Sequence, residues 1–147
     1  MMGRGAQRLW LEPGDDHSVP DGYFWSEILT GPHLSVDYHW GQQGLTVQGF
    51  RDDAHRLDRF SRWCRVDRDR PLPGMLHDLK YHQQWINVEY IGDQVIEVHL
   101  RYNDDFANHD ADEIIPVWRD QPMAQPLDCT WYPSAAGDRL GFWIKNK

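Results

Sequence analysis

Cysteine is scarce in this sequence. Cys64 and Cys129 are the only two, they lie far apart, and they form no CxxC pair. That argues against a disulfide scaffold or a zinc knuckle and fits a chain that works in a reducing cytosol. Long apolar runs are missing as well, and none approaches the length of a membrane-spanning helix. The opening residues, MMGRGAQRLW, hold no apolar segment of the secretory kind. Positive charge is in deficit: 15 Lys and Arg stand against 23 Asp and Glu, a formal net charge of −8. A chain of that sign suits neither nucleic-acid phosphates nor an anionic membrane surface, although a local anion site stays open to it. The expectation is a cytoplasmic protein with neither nucleic acid nor membrane as partner. The eight histidines form no HxxxH or HxH pattern, and no GxSxG elbow supports acyl transfer through a triad. There is no internal repeat and no low-complexity tract.

Aromatic residues are plentiful. They make up 13% of the 147 residues, eight of them Trp, so a folded core is expected rather than disorder. Residues 1–22, with Pro13-Gly14-Asp15-Asp16 and Pro20-Asp21-Gly22, read as a loosely structured lead-in. A single domain is expected over 23–147. Tyr23 to Leu29 is strand-like and is broken by Thr30-Gly31-Pro32. His33 to Trp40 is a second strand, with Leu34, Val36 and Tyr38 on one face and Ser35, Asp37 and His39 on the other. Leu45 to Phe50 is a third. Residues 51–70 carry seven Arg and five Asp, and the spacing of Leu57, Phe60 and Trp63 predicts a short helix there. Pro71 and Pro73 open a further helix to about His82, with Met75, Leu76 and Leu79 on its apolar side. Trp85–Tyr90 and Gln94–Arg101 form a hairpin. Asp110 caps a helical turn limited by Pro116, and Cys129–Tyr132 with Leu140–Ile144 form a last hairpin. The sum is about seven strands and two or three short helices: an α+β fold built on a mainly antiparallel sheet.

The hairpin carries the chemistry. Glu97, His99 and Arg101 share one face of its second strand, and Asn87 and Glu89 share a face of the first. A two-residue turn, Gly92-Asp93, pairs Glu89 with Ile96 and sends the two glutamates to opposite faces. A three-residue turn, Gly92 to Gln94, pairs Ile91 with Val95 and sets Glu89 across from Glu97 and Asn87 across from His99. Facing carboxylates repel by a few tenths to about 1 kcal/mol, a cost that a bound cation removes. Two carboxylates with a neutral donor suit Mg²⁺, which completes its shell with phosphate oxygens and water. Sequence spacing leaves both turns open.

Two stretches together, "WSEILTGPHLSVD" (25–37) and "VEYIGDQVIEVHLR" (88–101), resemble the C-terminal half of the ATP-grasp superfamily over about residues 23–106. The first is similar to the strand and Gly-Pro break that form the adenine hinge. The second is similar to the paired metal-binding strands, an acid followed after a turn by Glu-x-Asn-x-Arg. The resemblance implies that the backbone of Glu27 and Leu29 meets adenine and that His33 stands at the ribose position, where an acid is usual. It implies Glu89, Glu97 and His99 as the metal set, with His99 in place of the usual Asn, and Arg101 near the reacting groups. The cofactors implied are ATP and Mg²⁺, with Mn²⁺ the better match to an imidazole. The function implied is carboxylate activation through an acyl phosphate in a ligase. About two dozen residues precede the hinge-like stretch, without the lysine-bearing, Gly-rich lid subdomain of that superfamily. The expectation is therefore a half that is inactive alone: a fragment of a larger protein, a half that pairs with a second chain supplying the missing subdomain, or a relic with a different job. The alternative is a non-catalytic β-rich module whose Trp and Tyr residues bind a protein or a glycan.

Overall fold

A computed structural model of the chain describes residues 28–51, 59–107 and 111–146. Eight strands form one antiparallel sheet: β1 (His33–His39), β2 (Gln42–Phe50), β3 (Arg62–Arg65), β4 (Trp85–Ile91), β5 (Gln94–His99), β6 (Ala111–Trp118), β7 (Cys129–Ala136) and β8 (Arg139–Asn146). Their order is β5-β4-β1-β2-β3-β6-β8-β7. A 3₁₀ helix, Gly74–Tyr81, and a single helical turn, α1 (Asp104–Ala107), are the helical elements among the described residues. The chain is thus of the α+β kind expected, dominated by an antiparallel sheet. None of the described helices is long and apolar enough to cross a membrane.

The sheet has two unlike faces because β1 alternates. Leu34, Val36 and Tyr38 join Ile86, Val88, Tyr90 and Leu72 in the main core, with Leu76 and Leu79 of the 3₁₀ helix and Val95 and Val98 of β5 packed against it. Residues that pair directly across antiparallel strands share a face, so Ser35, Asp37, Asn87, Glu89, Glu97 and His99 all lie on the other side. Val47, opposite Ser35, places a second core on that polar face, with Phe106 of α1, Ile114, Phe142 and Ile144. Consequently β1 is buried on both faces from His33 to Tyr38.

Several expectations need correction. The expected strand at Tyr23–Leu29 lies outside the described residues through 27, and Ile28 and Leu29 are not in a strand. Of the segment read as a short helix, 52–58 lie outside the described residues. Trp63 belongs to β3, and its pairing with Gly49 on β2 and Ile114 on β6 overrides the period of three. The helix after Pro73 is 3₁₀, and Met75 is exposed rather than inward. Asp110 lies outside the described residues. The turn expected before Pro116 is instead β6, where Pro116 pairs with Phe142 of β8 at a point past the start of β3. Proline lacks an N–H and is tolerated in a strand where one neighbour has ended. Finally, β5 stops at His99, so Arg101 is off the strand.

Candidate metal centre on the polar face

The turn between β4 and β5 has two residues: Ile91 pairs with Gln94, and Gly92 sits at φ +59°. Even so, Glu89 faces Glu97 and Asn87 faces His99, because the register shifts by one residue between Tyr90–Val95 and Glu89–Glu97. Ile96 is the extra residue of this β-bulge. Val95 and Val98, three apart, both reach the core as a result, and Glu97 comes round to the face of Glu89. His99 Nε2 lies 3.7 Å from Glu89 Oε1 and 3.4 Å from Glu97 Oε1. One ligand atom from each of the three residues lies within 4.8 Å of the other two.

β1 and β2 furnish the next wall. His33 Nε2 and Glu89 Oε2 are 2.8 Å apart, and an Arg51 terminal nitrogen is 3.2 Å from His33 Nδ1. A guanidinium only donates, so Nδ1 accepts, and Nε2 carries the proton that it gives to Glu89. Gly49 pairs with His33, and a Cβ there would meet Phe60 at 2.6 Å and Trp63 at 3.0 Å. The bare backbone lets both rings stand edge-on to the imidazole, at 4.9 and 5.6 Å between centroids. Burial pushes the Glu89 carboxyl upward. The His33 hydrogen bond, followed by electrostatic attraction from the His33, His99 and Arg51 side chains, outweighs it and holds Glu89 below its ordinary value.

A buried polar network lies beside the carboxylates. Asn87 Nδ2 donates to Ser35 Oγ and to Asp37 Oδ1, each at 2.8 Å. The Asn103 backbone N–H donates to Asp37 Oδ1 at 2.9 Å, and its side chain reaches Ser35 Oγ at 3.3 Å. Desolvation raises the Asp37 carboxyl, against the hydrogen bonds from Asn87 and Asn103 and the charge of Arg101. The network ties the segment after β5 to β1 and β4. The polar alternation of β1 signals it in the sequence, but nothing local indicates that Asn103 closes it.

The remaining sequence-derived candidates are placed unevenly. Glu27 lies outside the described residues. Leu29 is half-buried next to the Gly-Pro connector, which packs directly on the β4–β5 turn. The Gly92 N–H donates to Pro32 carbonyl oxygen at 3.0 Å, and a Cβ on Gly31 would meet the Gly92 Cα at 2.8 Å. His33 is buried and engaged with Glu89. Arg101 is exposed and bonds the Tyr102 carbonyl at 2.9 Å, with Asp104 at 3.4 Å. The structure therefore brings together Glu89, Glu97, His99 and His33, and leaves Arg101 at the margin.

The donor set fits a divalent cation. Neighbouring ligands about 2.1 Å from an octahedral ion stand about 3.0 Å from each other, so the His99–carboxylate separations of 3.4 and 3.7 Å would close by a few tenths of an ångström around one. Both exceed the span of a direct hydrogen bond. Two carboxylates and an imidazole suit Mn²⁺ better than Mg²⁺. No protein-family model, curated protein or solved structure matches the chain.

Proposed function

We propose that the chain is the nucleotide- and divalent-cation-binding half of an ATP-grasp-type ligase. In this reading Glu89, Glu97 and His99 hold Mn²⁺ or Mg²⁺, and adenine lies along the connector before β1, beside Leu29. The cation, when bound, neutralises charge on the triphosphate. The protein contributes a prearranged carboxylate pair, with Glu89 held ionised by His33 and Arg51. A lysine-bearing lid segment would complete the nucleotide site, and ligation of a carboxylate through an acyl phosphate is the chemistry in keeping with it.

The observation that carries this reading is the meeting of two sequence stretches. Thr30-Gly31-Pro32 rests on the β4–β5 turn, and the same hairpin turns both glutamates and His99 to the face of β1 that bears His33. Calorimetric titration of the chain with Mn²⁺ and ATP tests it. Weak binding that Glu97→Ala abolishes is expected. No heat for the wild type, or binding indifferent to Glu97→Ala, removes the reading.

A second reading, a non-catalytic binding module, draws on a different region. Trp40, Gly41, Gln42, Lys80 and Tyr81 line a hollow of about 530 Å³ at the β1–β2 turn, and Trp40 and Tyr81 are both exposed there. Trp40 sits at φ +50°, a conformation a bulky residue seldom adopts. Retained ATP and Mn²⁺ binding in Trp40→Ala separates the two readings in favour of the first.

A further inference from the structure

The turn between β1 and β2 consists of Trp40 and Gly41, with His39 paired to Gln42 across it. Both turn residues are left-handed, at φ +50° and +78°. A two-residue turn of that shape favours Asn, Asp or Gly at its first position, because a bulky side chain is strained there. Trp40 takes the position although the core does not hold it: it is 53% exposed. The ring beside it is the imidazole of exposed His39, 6.3 Å between centroids. Folding gives no reason for an indole at this point, whereas a ligand that uses its face does. The surroundings suit one. Trp40, Gly41, Gln42, Lys80 and Tyr81 line the open hollow of about 530 Å³, within the roughly 300–1,000 Å³ of small-molecule sites. Tyr81 is exposed as well, and the Gln42 amide can both donate and accept. Bare Gly41 lets the Lys80 stem cross the turn, where a Cβ would stand 2.9 Å from Lys80 Cβ and Cδ. Lys80 Nζ lies 5.1 Å from the centre of the Tyr81 ring. Arg59, Arg70, Arg101 and Arg139 each pair with an aspartate. Lys80 has no ion pair among the described residues, and no acid lines the hollow.

We propose that this hollow binds an acidic saccharide, with a pyranose ring stacked on Trp40, its carboxylate on Lys80 and its hydroxyls on Gln42. A sugar ring has an apolar C–H face and a polar rim, and an exposed indole beside an amide and an ammonium complements both. The acidic form follows from charge, since an ammonium with no carboxylate near it matches an anionic group. The net charge of −8 opposes this only at long range, because physiological salt screens charges beyond about 8 Å. Single-stranded nucleic acid also stacks on aromatic rings, but it needs a run of cations along its backbone, and this hollow has one. The saccharide site rests on the second reading above and is independent of the cation at Glu89, Glu97 and His99. That cluster adjoins His33, six residues or about 20 Å along β1 from His39.

NMR titration of isotope-labelled protein with tetragalacturonate tests the assignment, with the fully methyl-esterified tetramer as the neutral comparison. The acidic tetramer should shift the Trp40 indole N–H and the Gly41, Gln42 and Tyr81 amides, with a Kd at or below about 1 mM. The ester should bind about tenfold more weakly, for want of the charge-assisted contact with Lys80. Lys80→Met keeps most of the stem and removes the charge, so it should bring the acidic tetramer down to the affinity of the ester. Trp40→Asn suits the turn better. It should abolish binding of both while its melting temperature stays level or rises. Equal affinity of the wild type for acid and ester, or undiminished binding in Lys80→Met or in folded Trp40→Asn, overturns the proposal. If a proline-rich peptide shifts these resonances and neither sugar does, the second reading stands and the saccharide is wrong. If no probe shifts them up to about 10 mM, this proposal and the second reading fall together.

Discussion

Glu89 and Glu97 face each other across β4 and β5 although the turn that joins the strands contains only Gly92 and Asp93. A regular hairpin with that turn would place Glu97 on the opposite side of the sheet. The bulge at Ile96 reverses this. It has a core-side cause as well as a consequence for the polar face: Val95 and Val98 both pack into the main core, which a strict alternation forbids for residues three apart. Ile96, 39% exposed, is the residue left over.

This register is open to chemical cross-linking. Directly opposed Cα atoms in an antiparallel pair stand about 4.5–5.5 Å apart, within the roughly 4.4–6.8 Å that a disulfide spans. In a background of Cys64→Ser and Cys129→Ala, the pair Glu89→Cys and Glu97→Cys should oxidise readily to a cross-strand disulfide. The pair Glu89→Cys and Val98→Cys points to opposite faces and should remain reduced. The reverse pattern, read by mass spectrometry, would place the bulge elsewhere.

The two glutamates are not equivalent, and stability should show it. Glu97 is about half exposed and opposes a like charge. Neutralising it in Glu97→Gln, without added metal, should stabilise the fold by up to about 1 kcal/mol. Glu89 is 22% exposed and accepts the hydrogen bond of buried His33. Glu89→Ala strands that donor and should cost about 1–3 kcal/mol. Urea denaturation of both variants measures the difference, and a loss of stability in Glu97→Gln would contradict the repulsion inferred from the register.

How much of this was readable in advance varies by element. β1, β4 and the terminal hairpin announce themselves through alternation and turn residues. β3 and β6 do not. β3 has only four residues, with exposed arginines flanking Trp63 and Cys64, and β6 begins with Ala111, Asp112 and Glu113 and contains Pro116. Both are strands because of partners far along the chain, a tertiary effect that local pattern cannot carry. The candidate site follows the same division. Spacing identified Glu89, Glu97 and His99 and posed their meeting as a question of turn length. The deciding feature is a bulge, which depends on how Val95 and Val98 pack. Arg101 looked like the next member of the alternating face, yet β5 ends two residues before it and leaves it beside Asp104.

Acid should act on Glu89 and Asp37 in opposite senses. Glu89 has a folded-state pKa below its ordinary value, so the folded chain holds fewer protons than the unfolded one in the window between the two values. Its contribution is present above the ordinary carboxylate range and is lost as pH falls through the lowered pKa. Asp37 has a folded-state pKa above its ordinary value. There the folded chain holds more protons, and stability falls as pH rises from the ordinary to the raised value. Relative to wild type, Asp37→Asn should therefore gain stability as pH climbs through that window, whereas Glu89→Gln should lose relative stability as pH rises from acid into the carboxylate range. Melting temperatures across a pH series distinguish the two, and parallel curves would contradict both directions.

The seat of the connector on the hairpin turn depends on the absence of a side chain at Gly92. This residue has φ +59°, and a Cβ there would stand 2.5 Å from the Thr30 carbonyl oxygen. A left-handed conformation alone costs a non-glycine residue about 1–3 kcal/mol, and this neighbour is backbone, which cannot swing aside as a flexible side chain would. Gly74, at the start of the 3₁₀ helix, has nothing within 4 Å of a built Cβ. Gly92→Ala should lower unfolding free energy by about 1–3 kcal/mol or more, while Gly74→Ala should stay within about 0.5 kcal/mol of wild type. The Gly92 N–H donates to the Pro32 carbonyl oxygen, so displacement of the connector should also speed hydrogen exchange at residue 92 ahead of the strand amides. Equal stability losses in the two variants, or unchanged exchange at residue 92 in Gly92→Ala, would show that the connector is not held by this contact.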